Sequence, residues 1–384
     1  MRTRVILLGL FALTLASQAS QASAEPAAPT PAPTPTPTRT ATPGTVRFAA
    51  VGDIMTHWIQ IQAAWKASCK CHDFAPMFAD ARPLLADADV TFGNLETTMP
   101  GDPRRYTPKG TVLFGAPDSL ADAVAGAGFD VVATANNHAA DTGGVGVKNT
   151  LAQLDRVGVL HAGSWPSPEA RAANPVLRFE KNGLRIAMVA YSYGSNEGKP
   201  DGAALATLAQ GTLEADVRTA RVGADVVIVS LHFGEQYERK PNKKQRAFVG
   251  LALAAGADVV LGHHPHVLQP IERIEVDGRS RLVAWSLGNF VANYRMRYTD
   301  GGIVLGFTLE KGQSGVIIKD VGYRPVYVHV EKDGPTAPRF RILPALDYLT
   351  AGRLPASAHK ALQQFVADTA ELLGPAAGLT TASR

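Results

Sequence analysis

Cysteine is nearly absent from this sequence, since Cys69 and Cys71 are the only two in 384 residues. A disulfide-rich scaffold and a four-thiolate zinc site both need more thiols, so both classes are excluded. The segment Cys69-Lys70-Cys71-His72 is one residue short of the spacing that attaches haem, which argues against haem. Two alternatives stay open: a local disulfide formed in an oxidising compartment, or two free thiols.

A strong net charge is lacking as well. Lys and Arg total 38 against 34 Asp and Glu, and two of the positive charges belong to Arg2 and Arg4. Nucleic-acid binding needs basic residues clustered on one face, so this balance predicts no nucleic-acid partner. The apolar fraction of 46% and the charged fraction of 19% are close to globular averages, which excludes wholesale disorder.

No apolar run reaches the about 20 residues that span a membrane. The run Val5–Leu15 follows Arg2 and Arg4 and precedes the small-residue exit Ala22-Ser23-Ala24. This order predicts a signal peptide over residues 1–24, cleaved near Ala24, and therefore a secreted, periplasmic protein without a transmembrane segment in the mature chain. Residues 25–44, rich in Pro, Thr and Ala, predict a disordered linker.

From Thr45 onward, short β-rich runs alternate with helical stretches. Apolar strands separated by helices predict a largely parallel sheet that is buried on both faces. The predicted strands are Val46–Val51, Val90–Phe92, Val131–Thr134, Arg185–Tyr191, Val226–Leu231 and Val259–Leu261. The predicted helices lie around Leu84 and at Ser119–Ala127, Gly143–Val157, Leu213–Val222 and Lys243–Ala255.

The pattern changes after Leu268. Pro270–Val276 and Arg281–Leu287, joined through Asp277-Gly278, predict a hairpin, and two further strands follow at Gly302–Leu309 and Val321–Val330. We therefore predict an α/β (α+β) domain over residues 45–346, with two sheets packed face to face and helices outside. The tail, residues 347–384, predicts an amphipathic helix from Ser357, with apolar residues at Leu362, Phe365, Val366, Leu372 and Leu373.

Polar side chains follow five of the predicted strands where each strand ends. They are Asp53, then Asn94 and Glu96, then Asn136, Asn137 and His138, then His232, and finally His263, His264 and His266. Because ligands of open α/β sheets bind outside the carboxyl ends of the strands, we expect these groups to converge on one edge. Carboxylate, amide oxygen and imidazole together suit a divalent metal.

Each of these residues also has an ordinary structural interpretation. Asp53 alone would be a helix cap or turn former, Asn136-Asn137 a turn, and His232 a core histidine. Three histidines within His263-His264-Pro265-His266 are harder to explain by structure alone, and an extended segment would place His264 and His266 on one side. The whole set therefore predicts a functional site.

The motifs resemble the poly-γ-glutamate capsule-synthesis (CapA) family, a branch of the metallo-dependent phosphatase superfamily, from about Val46 to about Leu343. The resemblance implies a four-layer αββα sandwich. It is carried by Val51–Met55, Gly93–Glu96, Ala135–His138 with Asp141 and Gly143, Leu231–Tyr237, Gly262–Gln269 and Ser286–Phe290.

The resemblance also implies two metal positions. Glu96, Asn137, His232 and His264 would form the first, whereas Asp53, Glu96 and His266 would form the second, with Glu96, or Asn94, as the bridging ligand. Met55 stands where the superfamily has a histidine, and a thioether is a poor ligand for a hard cation. We expect one tight and one weak or vacant position for Mn, Zn, Fe or Mg, with a metal-free site as the alternative.

In the same framework, His138 would protonate the leaving group, and Asp141 would orient His138 or act as an outer-shell partner of the ligands. The basic segment from Glu235 to Arg246 would contact a polyanion, its alternative being a solvated helix start. The predicted substrate contacts are Asn94, Asn136, Tyr191, Asn196, Glu235, Tyr237, His263 and Asn289.

The sequence thus predicts an exported protein that acts in the synthesis, attachment or processing of an anionic cell-envelope polymer, similar to poly-γ-glutamate or linked to peptidoglycan. Its predicted activity is that of a metal-assisted hydrolase or transferase. Two alternatives are a non-catalytic polymer-handling protein of a capsule export machinery, with capsule-synthesis proteins as partners, and a metal-independent acid/base catalyst on a peptide-like substrate.

Overall fold

Two large β-sheets form the centre of the computed structural model, which describes residues 42–313, 315–332, 338–374 and the backbone of 380–381. The strands are β1 Thr45–Ile54, β2 Trp65–Lys66, β3 Cys71–His72, β4 Val90–Leu95, β5 Val131–Ala133, β6 Leu160–Ala162, β7 Ser164–Trp165, β8 Leu177–Lys181, β9 Leu184–Ser192, β10 Ala204–Leu205, β11 Val226–His232, β12 Val259–His263, β13 Ile271–Val276, β14 Arg279–Ala284, β15 Asn289–Val291, β16 Gly301–Gly312, β17 Gly315–Glu331, β18 Arg339–Pro344 and β19 Thr380–Thr381.

Helices lie between many of these strands. They are α1 Trp58–Ala64, α2 Ala75–Phe78, α3 Arg82–Leu85, α4 Ser119–Ala127, α5 Gly143–Val157, α6 Pro168–Ala173, α7 Leu213–Arg221, α8 Lys243–Ala255, α9 Ala345–Ala351 and α10 Ala356–Leu373, with short 3-10 helices at Pro103–Arg105 and Leu208–Gln210. Within the ranges given above, no helix is long and apolar enough to cross a membrane. The predicted signal peptide and nearly all of the predicted linker lie outside the described residues.

The first sheet has the strand order β18-β17-β16-β1-β4-β5-β6, with β15 paired to β1. Strands β1, β4, β5 and β6 are parallel, whereas β16, β17 and β18 are added to β1 in antiparallel fashion. The second sheet has the order β13-β14-β12-β11-β9-β8, in which β9, β11, β12 and β14 are parallel. The predicted parallel core and the predicted hairpin β13–β14 are both confirmed.

Alternate side chains of each central strand enter different cores, as the period of a β-strand requires. Phe48 and Phe92 of the first sheet and Ile228 of the second belong to one apolar core between the sheets. Their neighbours point outward, so that Val51 packs under α2–α5 and Val229 packs under α7 and α8. The layers are therefore helices, sheet, sheet and helices, which confirms the αββα sandwich.

Helix α10 closes one side of the molecule. Its Leu362 and Phe365 are buried against Tyr327 of β17 and Ala345 of α9. Its Asp368 carboxylate accepts hydrogen bonds from Arg297 at 2.7 and 3.0 Å, and its Asp368 carbonyl accepts one from Arg239 at 2.8 Å. The helix thereby ties together two loops that border the carboxyl ends of the strands.

Candidate metal centre

The polar residues at the strand ends do converge. Residue Asp53 of β1 is in register with Asn94 of β4 on one side and with Asn289 of β15 on the other. In the second sheet, His232 of β11 is in register with His263 of β12. Because both sheets end at the same edge of the sandwich, side chains more than a hundred residues apart in sequence share one buried space.

Two groups of potential ligands share Glu96. The first comprises Glu96, His232 and His264, and the second comprises Asp53, Glu96 and His266; the ligand atoms of each group lie within 4.8 Å of one another. Glu96 Oε1 is 3.5 Å from His232 Nε2 and 3.8 Å from His266 Nε2, so one carboxylate oxygen faces both groups. The amide oxygen of Asn137, 2.6 Å from His232 Nε2, adds a further oxygen to the first group.

The unpaired atoms of this cluster fit a bound cation. Both carboxylate oxygens of Glu96, Nδ1 of His264 and Nε2 of His266 are buried without a hydrogen-bond partner among the described residues. A buried carboxylate left unpaired is costly, and a metal ion is one of the partners that offset this cost. The donor set of carboxylates, imidazoles and an amide oxygen suits a divalent metal and does not by itself select one.

Burial and mutual charge set the protonation of the metal-free cluster. Burial, followed by the charges of Asp53 and Asp141, raises the pKa of Glu96 well above its usual range. Burial alone would raise the pKa of Asp53, but His263 and His266 hold it well below the ordinary value. Burial lowers the pKa of His264 to about 3, with the charge of His266 as a second cause. Neutral imidazoles of this kind are ready to bind a metal.

The histidine cluster is not the extended segment that the sequence predicted. His264 and His266 both adopt the left-handed conformation, with φ of 95° and 57°, and they serve different ligand groups. Left-handed backbone is unfavourable for residues other than glycine and is concentrated at functional sites. Because the chain turns tightly here, His264 and His266 do not lie on one side as predicted. His264 reaches the first ligand group and His266 reaches the second.

Three asparagines predicted as substrate contacts are buried and hydrogen-bond to ligands or to residues beside them. Asn94 donates to Asp53 Oδ1 at 2.8 Å and lies 3.2 Å from His232 Nδ1. Asn289 Oδ1 lies 3.1 Å from His266 Nδ1. Asn136 donates to the carbonyl of Leu95 at 2.8 Å. All three asparagines are 0% exposed, and their contact with a substrate stays a prediction.

Two further predicted contacts, Tyr191 and His263, are also buried, and their contact with substrate stays a prediction. The ring of Tyr191 lies in the outer core beneath α7, where its hydroxyl bonds to Asp216 and to Thr212. His263 is fully buried between the sheets beside Phe92, and its Nδ1 is 3.5 Å from Asp53 Oδ1.

The remaining predicted contacts are on the surface near the cluster. Asn196 and Glu235 are exposed, and the backbone N–H of Asn196 donates to the carbonyl of Asn137 at 2.9 Å. Tyr237 is 40% exposed, and its ring centroid is 6.4 Å from that of His266. These residues stay candidates for substrate binding.

His138 and Asp141 form a buried pair beside the cluster. His138 Nδ1 is 2.7 Å from Asp141 Oδ2, and the two side chains are 4% and 0% exposed. The same carboxylate oxygen accepts the backbone N–H of Phe114 at 2.6 Å, and the ring of Phe114 lies 4.4 Å from that of His138. With Nδ1 held in this way, Nε2 is the imidazole nitrogen left for a reacting group.

Sequence reasoning missed an aromatic border around the cluster. Tyr193 lies 4.7 Å from the ring of His264, Tyr294 lies 5.0 Å from the ring of His266, and His57 lies 5.3 Å from Tyr294. Burial lowers the pKa of His57 to about 4, with charge interactions with His266, His138 and Arg295 as smaller causes. The sequence signal for two of these residues was their position near a strand end that carries site residues: Tyr193 directly follows β9, and Tyr294 lies three residues after β15.

Cys69 and Cys71 form a disulfide across the hairpin β2–β3. Of the two alternatives left open by the sequence, the structure has the local disulfide and not two free thiols. The hairpin contributes no ligand to either group.

Comparison with known proteins gives a consistent picture. The model of the bacterial capsule synthesis protein PGA_cap matches residues 47–294. The capsule biosynthesis protein CapA of Bacillus anthracis is 28% identical over 259 residues, covering 64% of this chain and 60% of that protein. The PGA biosynthesis protein CapA of Bacillus subtilis is 28% identical over 247 residues, covering 62% of each. The chain thus spans about 60% of the length of these curated relatives.

Among solved structures, a phosphatase from Mycoplasma pneumoniae aligns with a TM-score of 0.45 and 14% identity, covering 74% of this chain and 94% of that one. A 5'-nucleotidase from Candida albicans aligns with a TM-score of 0.41 and 10% identity, covering 87% of this chain and 59% of that one. The match that identifies the chain is the family model, which extends over well more than half of it and includes every ligand of both groups. This protein therefore belongs to the family of the bacterial capsule synthesis protein PGA_cap.

Proposed function

We propose that this protein is an exported, metal-assisted hydrolase or transferase that acts on an anionic cell-envelope polymer of the γ-glutamyl type. The observation that carries the proposal is the pair of ligand groups sharing Glu96 directly beside the His138–Asp141 pair. Family membership and the two CapA relatives support the polymer class. The disulfide supports an oxidising compartment, as export to the periplasm would provide.

A bound divalent cation would supply Lewis acidity, which polarises a carbonyl or phosphoryl oxygen and lowers the pKa of water. Glu96, His232 and His264, with Asn137, would hold it at the first position, and Asp53, Glu96 and His266 would hold a second. The buried amides of Asn94 and Asn289 keep these ligands in place. Ligand orientation of this kind sustains both metal affinity and activity.

Proton transfer falls to His138. Its Nδ1–H donates to Asp141, which leaves Nε2 to deliver a proton to the nitrogen or oxygen of the leaving group. Asp141 stabilises the imidazolium and fixes the ring orientation. Its own position is fixed by the backbone N–H of Phe114. The exposed residues Asn196, Glu235 and Tyr237 would contact the polymer chain outside the cluster.

The test compares His138→Gln with a matched control, His161→Gln. His161, a residue of β6, also pairs with an aspartate, with its Nε2 3.2 Å from Asp155 Oδ1, and it belongs to neither ligand group. The purified full chain is loaded with Mn²⁺, and hydrolysis of γ-glutamyl oligomers and phosphodiesters is measured. We expect His138→Gln to lower kcat by about 10²–10⁴-fold with unchanged metal content. Wild-type turnover in His138→Gln would remove this residue from the mechanism.

One observation favours a second function, that of a non-catalytic polymer-handling protein. Met55 replaces the histidine expected at the second position and is fully buried. If the wild-type protein binds polyglutamate and metal yet hydrolyses none of the substrates, this second function replaces the first. Turnover that survives complete removal of metal would instead support metal-independent acid/base chemistry.

A further inference from the structure

A cavity of about 470 Å³ lies beside the His138–Asp141 pair. One side of it is the segment that follows His138, from Ala140 to Gly144, and Asp141 is therefore part of the lining. Its volume is typical of small-ligand sites, which run from about 300 to 1,000 Å³. A unit bound in this cavity would lie next to the residue that we propose as the proton donor.

Two loops form the other walls of the cavity. The first wall comprises lining residues between Arg104 and Leu113, and the second comprises lining residues between Glu197 and Asp201. The second wall approaches the start of α5 so closely that a Cβ atom on Gly144 would lie 1.7 Å from the Asp201 carbonyl oxygen. The cavity thus forms where three segments that are distant in sequence meet in the fold.

The two arginines of the first wall differ in what they bind. Arg104 donates three hydrogen bonds of 2.9 to 3.1 Å to the carboxylate of Asp102, and its side chain is 89% exposed. Arg105 makes one side-chain hydrogen bond within the described ranges, from Nη1 to the carbonyl of Thr142 at 3.0 Å. No carboxylate in the part of the chain that the structure describes pairs with it, so its other N–H groups are available to an anion.

The second wall carries three further charges. Lys199, Glu197 and Asp201 are exposed, and none of them forms an ion pair with another described residue. Together with Arg105, they give the cavity two unpaired positive and two unpaired negative groups. An α-amino acid unit has matching groups, because its α-carbon bears a carboxylate and a nitrogen. A densely charged phosphate chain would instead be repelled by the two acidic side chains.

We propose that this cavity binds the leaving unit of the polymer as an α-amino acid, with its α-carboxylate on Arg105 and Lys199 and its nitrogen on the side lined by Asp141. The inference rests on the proposed function and deepens it, because it makes a γ-glutamyl amide the bond that is cleaved. Glu197 and Asp201 supply negative charge that favours the protonated form of the departing amine.

The atoms balance in this step. Water adds its oxygen to the amide carbonyl carbon and gives up one proton. The C–N bond breaks with its electron pair going to nitrogen, and His138 protonates that nitrogen. In a transfer reaction, an acceptor hydroxyl or amine takes the place of water.

Calorimetric binding tests the cavity separately from turnover. The parent protein is the full chain with His138→Gln, loaded with Mn²⁺, so that the probe is not consumed. The probes are a γ-glutamyl trimer and the same trimer with its α-carboxylates converted to amides. We expect the parent to bind the trimer more tightly than its amide. Adding Arg105→Gln should weaken trimer binding by about 10–100-fold, the usual loss for a hydrogen bond to a charged group. Lys199→Gln should weaken it by a smaller factor.

The matched control is Arg104→Gln, which removes the same charge from the neighbouring residue whose guanidinium is held by Asp102. It should bind the trimer as the parent does, with melting curves verifying that all variants fold. The proposal is overturned by a parent that does not bind the trimer, or by equal affinities in Arg104→Gln and Arg105→Gln. A phosphodiester oligomer that binds more tightly than the trimer would also overturn it. If binding depends on Arg105 but wild-type protein hydrolyses none of the substrates, the hydrolase is wrong and the binding site remains.

Discussion

At the scale of single residues, Glu96 carries more of the site than any other side chain. One of its oxygens faces both His232 and His266. Neither oxygen has a hydrogen-bond partner among the described residues. His263 and His266 lower the pKa of the neighbouring Asp53, whereas burial and the charges of Asp53 and Asp141 raise the pKa of Glu96. A cation bound by both groups would supply the positive charge that offsets the cost of burying the Glu96 carboxylate.

This imbalance predicts opposite effects of Glu96→Gln on metal binding and on the stability of the metal-free protein. The variant should lose both ions. In the metal-free wild type, the raised pKa of Glu96 means that the folded state holds a proton that the unfolded state releases. Its contribution to stability is therefore present below the unfolded pKa and is lost as pH rises through the raised folded pKa.

Metal-free Glu96→Gln should accordingly be the more stable protein at neutral pH and should show a flatter dependence of stability on pH. Denaturant unfolding from pH 4 to 8 measures this, with Glu180→Gln, an exposed glutamate of β8, as the control. A variant less stable than the metal-free wild type at pH 8 would contradict the prediction.

At the scale of elements, the site depends on how closely strands approach each other. Strand β15 lies against β1 so that Asn289 is level with Asp53, and the N–H of Asp53 donates to the carbonyl of Gly288 at 3.0 Å. Gly52 permits this approach, since a Cβ atom at this position would lie 1.9 Å from the Gly288 oxygen. Because Gly52 has no side chain, the candidate ligand Asp53 can lie beside Asn289, which contacts the ligand His266.

Gly52→Ala should therefore lower the free energy of unfolding by about 1–3 kcal/mol, the usual cost of overpacking, and weaken metal binding at the second position. The matched control is Gly126→Ala within α4, where a Cβ atom meets nothing within 4 Å. This control should stabilise the protein by about 0.5–1 kcal/mol through helix propensity. Urea unfolding measures the free energy of unfolding of both variants. Equal values for Gly52→Ala and Gly126→Ala would contradict the prediction that Gly52 is needed for the close approach of β1 and β15.

At the scale of the whole molecule, the site lies where the ends of the two sheets meet. Asp53 and Glu96 come from the first sheet and its end, whereas His232, His264 and His266 come from the second. An ion held by both groups would therefore link the two halves of the sandwich. A ligand that binds only the folded state stabilises it by mass action.

Metal addition should accordingly raise the melting temperature of the chelator-stripped protein. At a concentration about 100 times the dissociation constant, the gain is about 2.7 kcal/mol for each independent position. Calorimetry with and without Mn²⁺ measures it, and Glu96→Gln should show no increase. An equal shift in Glu96→Gln would indicate binding elsewhere on the chain.

The sequence alone indicated most of the central strands and the two-sheet packing, and its resemblance to a known family added the four-layer sandwich and the candidate metal ligands. Apolar runs and turn residues are local signals, so β1, β11, β12 and the hairpin β13–β14 could be read directly. The ligands follow from motifs at strand ends, because parallel strands bring their carboxyl ends to one edge. The residue types at these strand ends therefore indicated a metal site before the structure was known.

Only the tertiary structure decided which way the neighbouring side chains point. Tyr191 and Tyr193 are two residues apart, yet the first is buried under α7 and the second borders the ligands, because the chain bends where β9 ends. Asn289 became a buried support, and Tyr294 came to lie against His266, through packing between segments distant in sequence. Such orientation depends on contacts between elements, and no local pattern of residue types encodes it.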